Sequence, residues 1–185
     1  MPEAFESDEG LIQAAGQGDP VAFEKIVRRH QLRAWKIAFR FLGCEAEAAD
    51  MVQEAFIRLL DAADRYRPTA AFSTYFHRII TRLCLDRAKK KQPKILDTFP
   101  DLADPRPDAA TAMMRRETAL AVRAALDVLP PNQRMAIVFR YYEDLSYEEI
   151  ASALETTPKA VERLLARGRA RLQALLANRD DFFHF

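Results

Sequence analysis

Apolar residues recur at a helical period along nearly the whole chain, and three stretches carry the pattern most clearly. In the first, Phe23, Ile26 and Val27 begin a stripe that continues through Ala34, Ile37, Ala38 and Phe41 until Gly43 stops the helix. In the second, residues 46–63, the pattern buries Val52, Ala55, Phe56, Leu59 and Leu60 and turns Asp50, Gln53, Glu54 and Arg58 outward. In the third, residues 71–91, it buries Phe72, Tyr75, Phe76, Ile79, Ile80 and Leu83. With few valine or threonine runs there is little room for a sheet, so the predicted class is all-α.

The opposite face of the third stretch is the unusual one. Ser73, Thr74, His77, Arg78, Thr81, Arg82 and Arg87 lie off the apolar stripe, and the helix runs out into Lys89, Lys90 and Lys91. Hydrogen-bonding side chains interleaved with cations, beside Tyr75 and Phe76, suit a surface that holds a nucleic-acid backbone and stacks an unpaired base. A basic helix end complementing the helix dipole accounts equally well for the lysines, though not for the polar face.

Residues 92–108 hold four prolines and four aspartates, which no ordinary helix tolerates. The predicted organisation is therefore a helical domain over 9–91, a Pro/Asp-rich linker over 92–110, a smaller helical domain over 111–177 and a tail over 178–185. Within the second domain, residues 145–172 read LSYEEIASALETTPKAVERLLARGRARL and contain two helix starts. Ser146 and Glu149 form a capping box, with Leu145 and Ile150 as its hydrophobic staple. Thr157 followed by Pro158 starts the next helix. Two short helices, a tight turn and a second helix carrying Lys159, Arg163, Arg167, Arg169 and Arg171, with Glu162 as the acid among them, match a helix-turn-helix that places a helix in the DNA major groove. The apolar positions alone would serve any packed helical hairpin, so it is the basic face that points to DNA.

Net charge is only +1 over 185 residues, so charge distribution rather than total charge argues for a nucleic-acid partner. Cys44 and Cys84 are isolated thiols that suit a reducing cytosol, and the three histidines are scattered, so no metal site or cofactor is expected. No apolar run reaches the ~18 residues of a membrane span, and no leader pattern is visible. Nothing assembles a nucleophile, a base and an orienting acid, or a phosphate-cradling glycine loop, so an enzyme is not expected.

The segments DMVQEAFIRLLDAADRY and FSTYFHRIITRLCLDRAKKK resemble the core-binding, strand-opening and minus-ten segments of bacterial sigma factors. LPPNQRMAIVFRYYEDLSYEEIASAL and the arginine-rich helix after it resemble their minus-thirty-five domain. The lack of a large intervening domain makes the chain similar to the extracytoplasmic-function group, over residues 11–176. The resemblance implies contacts of Asp50, Gln53, Glu54 and Arg58 with core RNA polymerase. It implies capture of a flipped non-template base around Thr69, Ser73, Thr74 and Tyr75, with His77, Arg78, Arg82 and Arg87 nearby on the DNA. It assigns Thr157, Lys159, Glu162, Arg163, Arg167 and Arg171 to duplex promoter DNA, and implies an anti-sigma partner and a bacterial cytoplasmic location on the nucleoid.

The match is not uniform. Tyr75 stands where relatives of this size usually have tryptophan, Arg82 where asparagine is frequent, and Glu155 at the usual turn glycine. Two other readings remain open at this point: a stand-alone helix-turn-helix regulator of duplex operators, and a sigma-like decoy that titrates an inhibitor. The former leaves the polar N-terminal helix unexplained; the latter has no use for the cations between 78 and 91. The tail sequence DDFFHF is either a docking element or packs back.

Overall fold

A computed structural model describes residues 7–90 and 109–177, with side chains in 109–117 left aside; the predicted linker and tail fall outside this range or at its edge. Among the described residues, eight α-helices and one short 3₁₀ turn account for the regular structure, with no strand. Local signals explain where the helices begin. The Ser7 hydroxyl accepts from the Gly10 N–H at 3.1 Å and starts α1 (Asp8–Gly16). Asp19 accepts from Val21 and Ala22, with Pro20 at the first helical position, and starts α2 (Pro20–Leu42). Gly43, at φ 73°, ends α2 in the left-handed conformation that favours glycine.

α3 (Glu45–Asp61) follows at once, with Glu45 and Glu47 in its first turn where the helix dipole favours acids. After the 3₁₀ turn (Ala63–Arg65), α4 (Phe72–Lys90) receives a cap from another helix, because the Phe72 N–H donates to Glu9 Oε1 of α1 at 2.8 Å. Leu11, Ile12, Ile26, Ile37, Phe41, Leu59, Phe72 and Ile80 fill the core between these helices. Phe76 links its neighbours through ring contacts with Phe56 at 4.9 Å and Phe72 at 5.9 Å.

The C-terminal helices are α5 (Ala109–Asp127), α6 (Pro131–Tyr142), α7 (Tyr147–Ala153) and α8 (Pro158–Leu176). In α6, five consecutive residues, Met135 to Phe139, are all buried. A helix that is apolar on every side must be covered on every side. α8 and α7 pack on α6, and so do α2 and α4 from the N-terminal part of the chain. Gly168 of α8 lies against Ile137, and a β-carbon there would stand 3.2 Å from that side chain, so its small size sets the close helix approach.

The N- and C-terminal helices therefore share an interface, and its centre is ionic. Arg123 of α5 is 2% exposed; its guanidinium donates to the carbonyls of Phe39 and Arg40 at the end of α2, at 2.9 and 2.7 Å, and to Asp127. Arg134 of α6 donates to the Phe41 carbonyl and shares Asp127. The last carbonyls of a helix carry the negative end of its dipole, so cations here satisfy orphan acceptors as well as charge. Gly43 makes room for this, since a β-carbon would collide with the Arg123 guanidinium. Glu143 extends the contact by pairing with Arg33 at 2.6 Å and Arg40 at 3.0 Å.

Two expectations need correcting. Leu60, predicted as core, is 46% exposed. His77 and Thr81, predicted on the outward polar face of α4, are buried at 6% and 2% exposure because the C-terminal helices cover that face.

Candidate nucleic-acid interface

The helix-turn-helix is assembled from local bonds. Ser146 Oγ accepts from the Glu149 N–H at 3.1 Å, and Glu149 Oε2 accepts from the Ser146 N–H at 2.8 Å, completing the capping box of α7. The same bonds hold the Glu149 carboxyl below its ordinary pKa. α7 ends in a Schellman turn, with Thr156 N–H donating to the Ala151 carbonyl and Glu155 N–H to the Ser152 carbonyl. Glu155 is the left-handed residue of that turn, at φ 52°. For a residue with a β-carbon this conformation costs roughly 1–2 kcal/mol. Thr157 Oγ1 then accepts from the Ala160 N–H at 3.2 Å and starts α8 behind Pro158.

Burial divides α8 cleanly. Val161, Leu165 and Gly168 face inward, while Lys159, Glu162, Arg163, Arg167 and Arg171 are exposed and form no ion pair with any described residue. Thr157 is exposed at the cap. Among the described residues nothing covers this basic face, and an exposed basic face along one helix is the geometry by which a helix reaches base edges and phosphates in a major groove.

The α4 surface differs. Thr69 is exposed in the loop before the helix, and Ser73, Thr74 and Tyr75 are half-buried at its start, with the Tyr75 ring 5.3 Å from the buried Tyr66. His77 lies between the two sets of helices, 5.4 Å from the Phe139 ring. Burial, helped by the charges of Arg33 and His30 and opposed by Glu149, lowers its pKa to about 4. Arg78 donates to the carbonyl and hydroxyl of Ser152 at 3.3 and 3.2 Å, Arg82 pairs with Glu155 at 3.4 Å, and Arg87 pairs with Glu47 at 3.0 Å. Every arginine predicted for this face is thus already engaged.

A third surface lies between α2 and α3. Phe23, Val27, Leu32, Trp35, Ile57 and Leu60 are among the residues lining an open apolar groove of about 750 Å³. Gln53 lines it too, Asp50 and Arg58 are exposed on the same helix, and half-buried Glu54 pairs with Arg58 at 2.8 Å. Leu32 is 58% and Ile57 48% exposed, unusually high for such side chains in a cluster. Sequence reasoning singled out the polar residues of α3 and missed the groove. The available signal was Leu32 and Ile57, apolar residues lying off the main helical stripes.

Cys84 is buried, which pushes its thiol pKa up to about 12 and makes it an inert packing residue. Among the described residues, no cluster of three or more histidine, cysteine or acidic side chains can hold a metal, and no helix is long and apolar enough to cross a membrane.

Family models cover both sets of helices. Residues 26–94 match the family model for Sigma-70 region 2, and residues 119–172 that for Sigma-70, region 4. The ECF RNA polymerase sigma factor SigM of Mycobacterium tuberculosis is 35% identical over 92% of this chain and 85% of its own length. SigE of Mycolicibacterium smegmatis is 34% identical over 89% of this chain, which spans 66% of that protein. Among solved structures, CnrH in complex with the cytosolic domain of CnrY superposes with a TM-score of 0.68 at 27% identity, covering 93% of this chain and 98% of that one. The sigma factor RpoE in complex with the anti-sigma factor NepR from Bartonella quintana shares the fold, with a TM-score of 0.61 at 18% identity over 85% of this chain and 98% of that one.

Proposed function

The chain belongs to the sigma-70 family, among the extracytoplasmic-function RNA polymerase sigma factors, and from that premise we propose a role for each of its three surfaces. The α2–α3 groove, lined in part by Gln53, docks an element of core polymerase together with Asp50, Glu54 and Arg58 of the same helix. The α4 face, from Thr69 through Ser73, Thr74, Tyr75, His77, Arg78 and Arg82 to Arg87, holds the minus-ten region and its non-template strand. The α8 face, from Thr157 through Lys159, Glu162, Arg163 and Arg167 to Arg171, enters the minus-thirty-five duplex. Residues 9–91 and 111–177 act as the two promoter-binding domains, with 92–110 as the tether between them. Extruding a base costs only a few kcal/mol where the duplex is weak, so a base pocket and polymerase binding together suffice to open DNA without a catalytic site.

The observation that carries this reading is the coexistence of an exposed apolar groove on α2–α3 with a basic face on α8 that no described residue pairs with. An operator-binding regulator needs only the second, and a decoy has no use for it. The protein works on the bacterial nucleoid, and an anti-sigma partner competes for the same α2–α3 groove. That partnership is supported by the anti-sigma factor in the Bartonella quintana complex.

Transcription in vitro with purified core polymerase and a promoter library tests the whole reading: added protein must produce new, promoter-specific transcripts. A narrower test is Asp50→Lys with Glu54→Lys. Surface changes of this kind usually shift stability by no more than ~0.5 kcal/mol, so the fold should persist while co-purification with core polymerase is abolished. Unchanged polymerase affinity would remove α3 from the interface.

A further inference from the structure

Two of the three α4 arginines assigned to promoter DNA share one carboxylate. Arg82 Nη2 lies 3.4 Å from Glu155 Oε2, and Arg78 Nε lies 3.9 Å from Glu155 Oε1. Beside them a small cleft of about 170 Å³ runs between α4 and the α7–α8 turn, bounded by Arg78, Thr81, Arg82, Lys89 and Glu155. Thr81 is 2% exposed there and its hydroxyl has no hydrogen-bond partner. Glu155 occupies this position with a positive φ that glycine would adopt without strain, and among the described residues its side chain pairs with these two arginines alone. A guanidinium donates to a carboxylate or a phosphate with the same N–H groups, so the two anions compete at this site.

We propose that Glu155 is an intramolecular stand-in for a DNA phosphate, so that the turn of the helix-turn-helix and the promoter backbone compete for Arg78 and Arg82. This rests on the assignment of α4 to promoter DNA and adds how that face is controlled. While the C-terminal helices are docked, the strand-holding surface is masked and the free protein is a poor ligand for single-stranded DNA. The α8 face stays exposed throughout. The pairs are half-exposed, with side-chain exposures of 43% and 66% for the arginines and 49% for Glu155, and exposed pairs are weak and screened by salt. Such a contact releases readily once polymerase draws the two halves apart.

The test uses the full chain and a fluorescein-labelled, mixed-sequence single-stranded oligonucleotide, with anisotropy measured at low salt without polymerase. Glu155→Gln keeps the size of the side chain, and Glu155→Gly also removes the backbone strain. Both should bind about three- to tenfold more tightly than wild type, and added salt should shrink the difference. Glu148→Gln, an exposed substitution that makes the same change in net charge, should leave affinity unchanged. With Arg78→Ala and Arg82→Ala added, Glu155→Gln should lose its advantage. The proposal is overturned if Glu155→Gln binds no more tightly than wild type, if Glu148→Gln gains as much, or if the gain survives removal of the two arginines. The underlying assignment of α4 is judged separately: normal promoter opening by holoenzyme carrying Arg78→Ala and Arg82→Ala would reject it, whatever Glu155 does.

Discussion

The arginines of α8 and those of α4 are the same side chain on two amphipathic helices of equal length, yet the fold treats them in opposite ways. Arg163, Arg167 and Arg171 stand in solvent with no described partner, while Arg78, Arg82 and Arg87 are bonded to Ser152, Glu155 and Glu47. A cationic helix face is therefore available or withheld according to what packs beside it, not according to its composition. On the proposed assignment of the two faces, an order of events at a promoter follows: α8 meets duplex DNA as the protein stands, whereas α4 first gives up its internal partners.

The sharpest test of this contrast pits the two faces against one template. Arg163→Ala with Arg167→Ala should weaken initial promoter binding by about 1–3 kcal/mol for each arginine that hydrogen-bonds a base edge, and a pre-melted bubble should not restore it. Arg78→Ala with Arg82→Ala should impair opening and be rescued at least in part by the bubble. Permanganate footprinting and run-off transcription distinguish the two; identical responses would abolish the contrast.

A second test uses pH. His77 titrates at about 4 in the folded protein against an ordinary 6.5, so the unfolded or undocked chain binds the proton more readily between those values. The stabilisation from its burial is present above pH 6.5 and is lost as pH falls toward 4, by at most roughly 3 kcal/mol from the size of the shift. Acidification should thus loosen the covered α4 face before it affects α8, and hydrogen exchange should show α4 amides losing protection first. His77→Phe should remove most of that dependence. Equal pH sensitivity in the two helices would mean that His77 does not govern docking.

The smallest effect concerns the positioning of α8. Replacing the capping residues, Ser146→Ala or Thr157→Ala, should each cost ~1 kcal/mol of thermal stability by removing the cap bond. Duplex binding should suffer while single-strand binding by α4 does not, as melting curves and paired affinity measurements would show.

How much of this was readable in advance depended on the range of the interaction. The caps at Ser146 and Thr157 and the stop at Gly43 are set by residues a few positions apart, and the structure has them where the pattern placed them. The α7–α8 turn was readable for the same reason, while Glu155 at its usual glycine position was visible through the family resemblance. His77 and Thr81 misled because polar residues on one face of a helix look solvated until another part of the chain covers them. Leu60 misled in the opposite direction, since an apolar residue on the edge of a stripe looks like core although it lines an open groove. Periodicity distinguishes the two sides of a helix; it does not say which side water will reach.

The burial of the middle of α6, Met135 to Phe139, on every side has a consequence for how the molecule can come apart. Phe139 is completely covered, in part by His77 of α4, so separating the halves strands an aromatic ring in water. Burying such a side chain contributes roughly 1.5–3 kcal/mol, which disfavours a long-lived open intermediate. Separation is then best completed as a hand-over, in which new apolar cover arrives while the old is leaving. A protein built this way wanders little in the absence of its host, and on the proposed reading its opening waits on a surface that offers α6 a replacement wall.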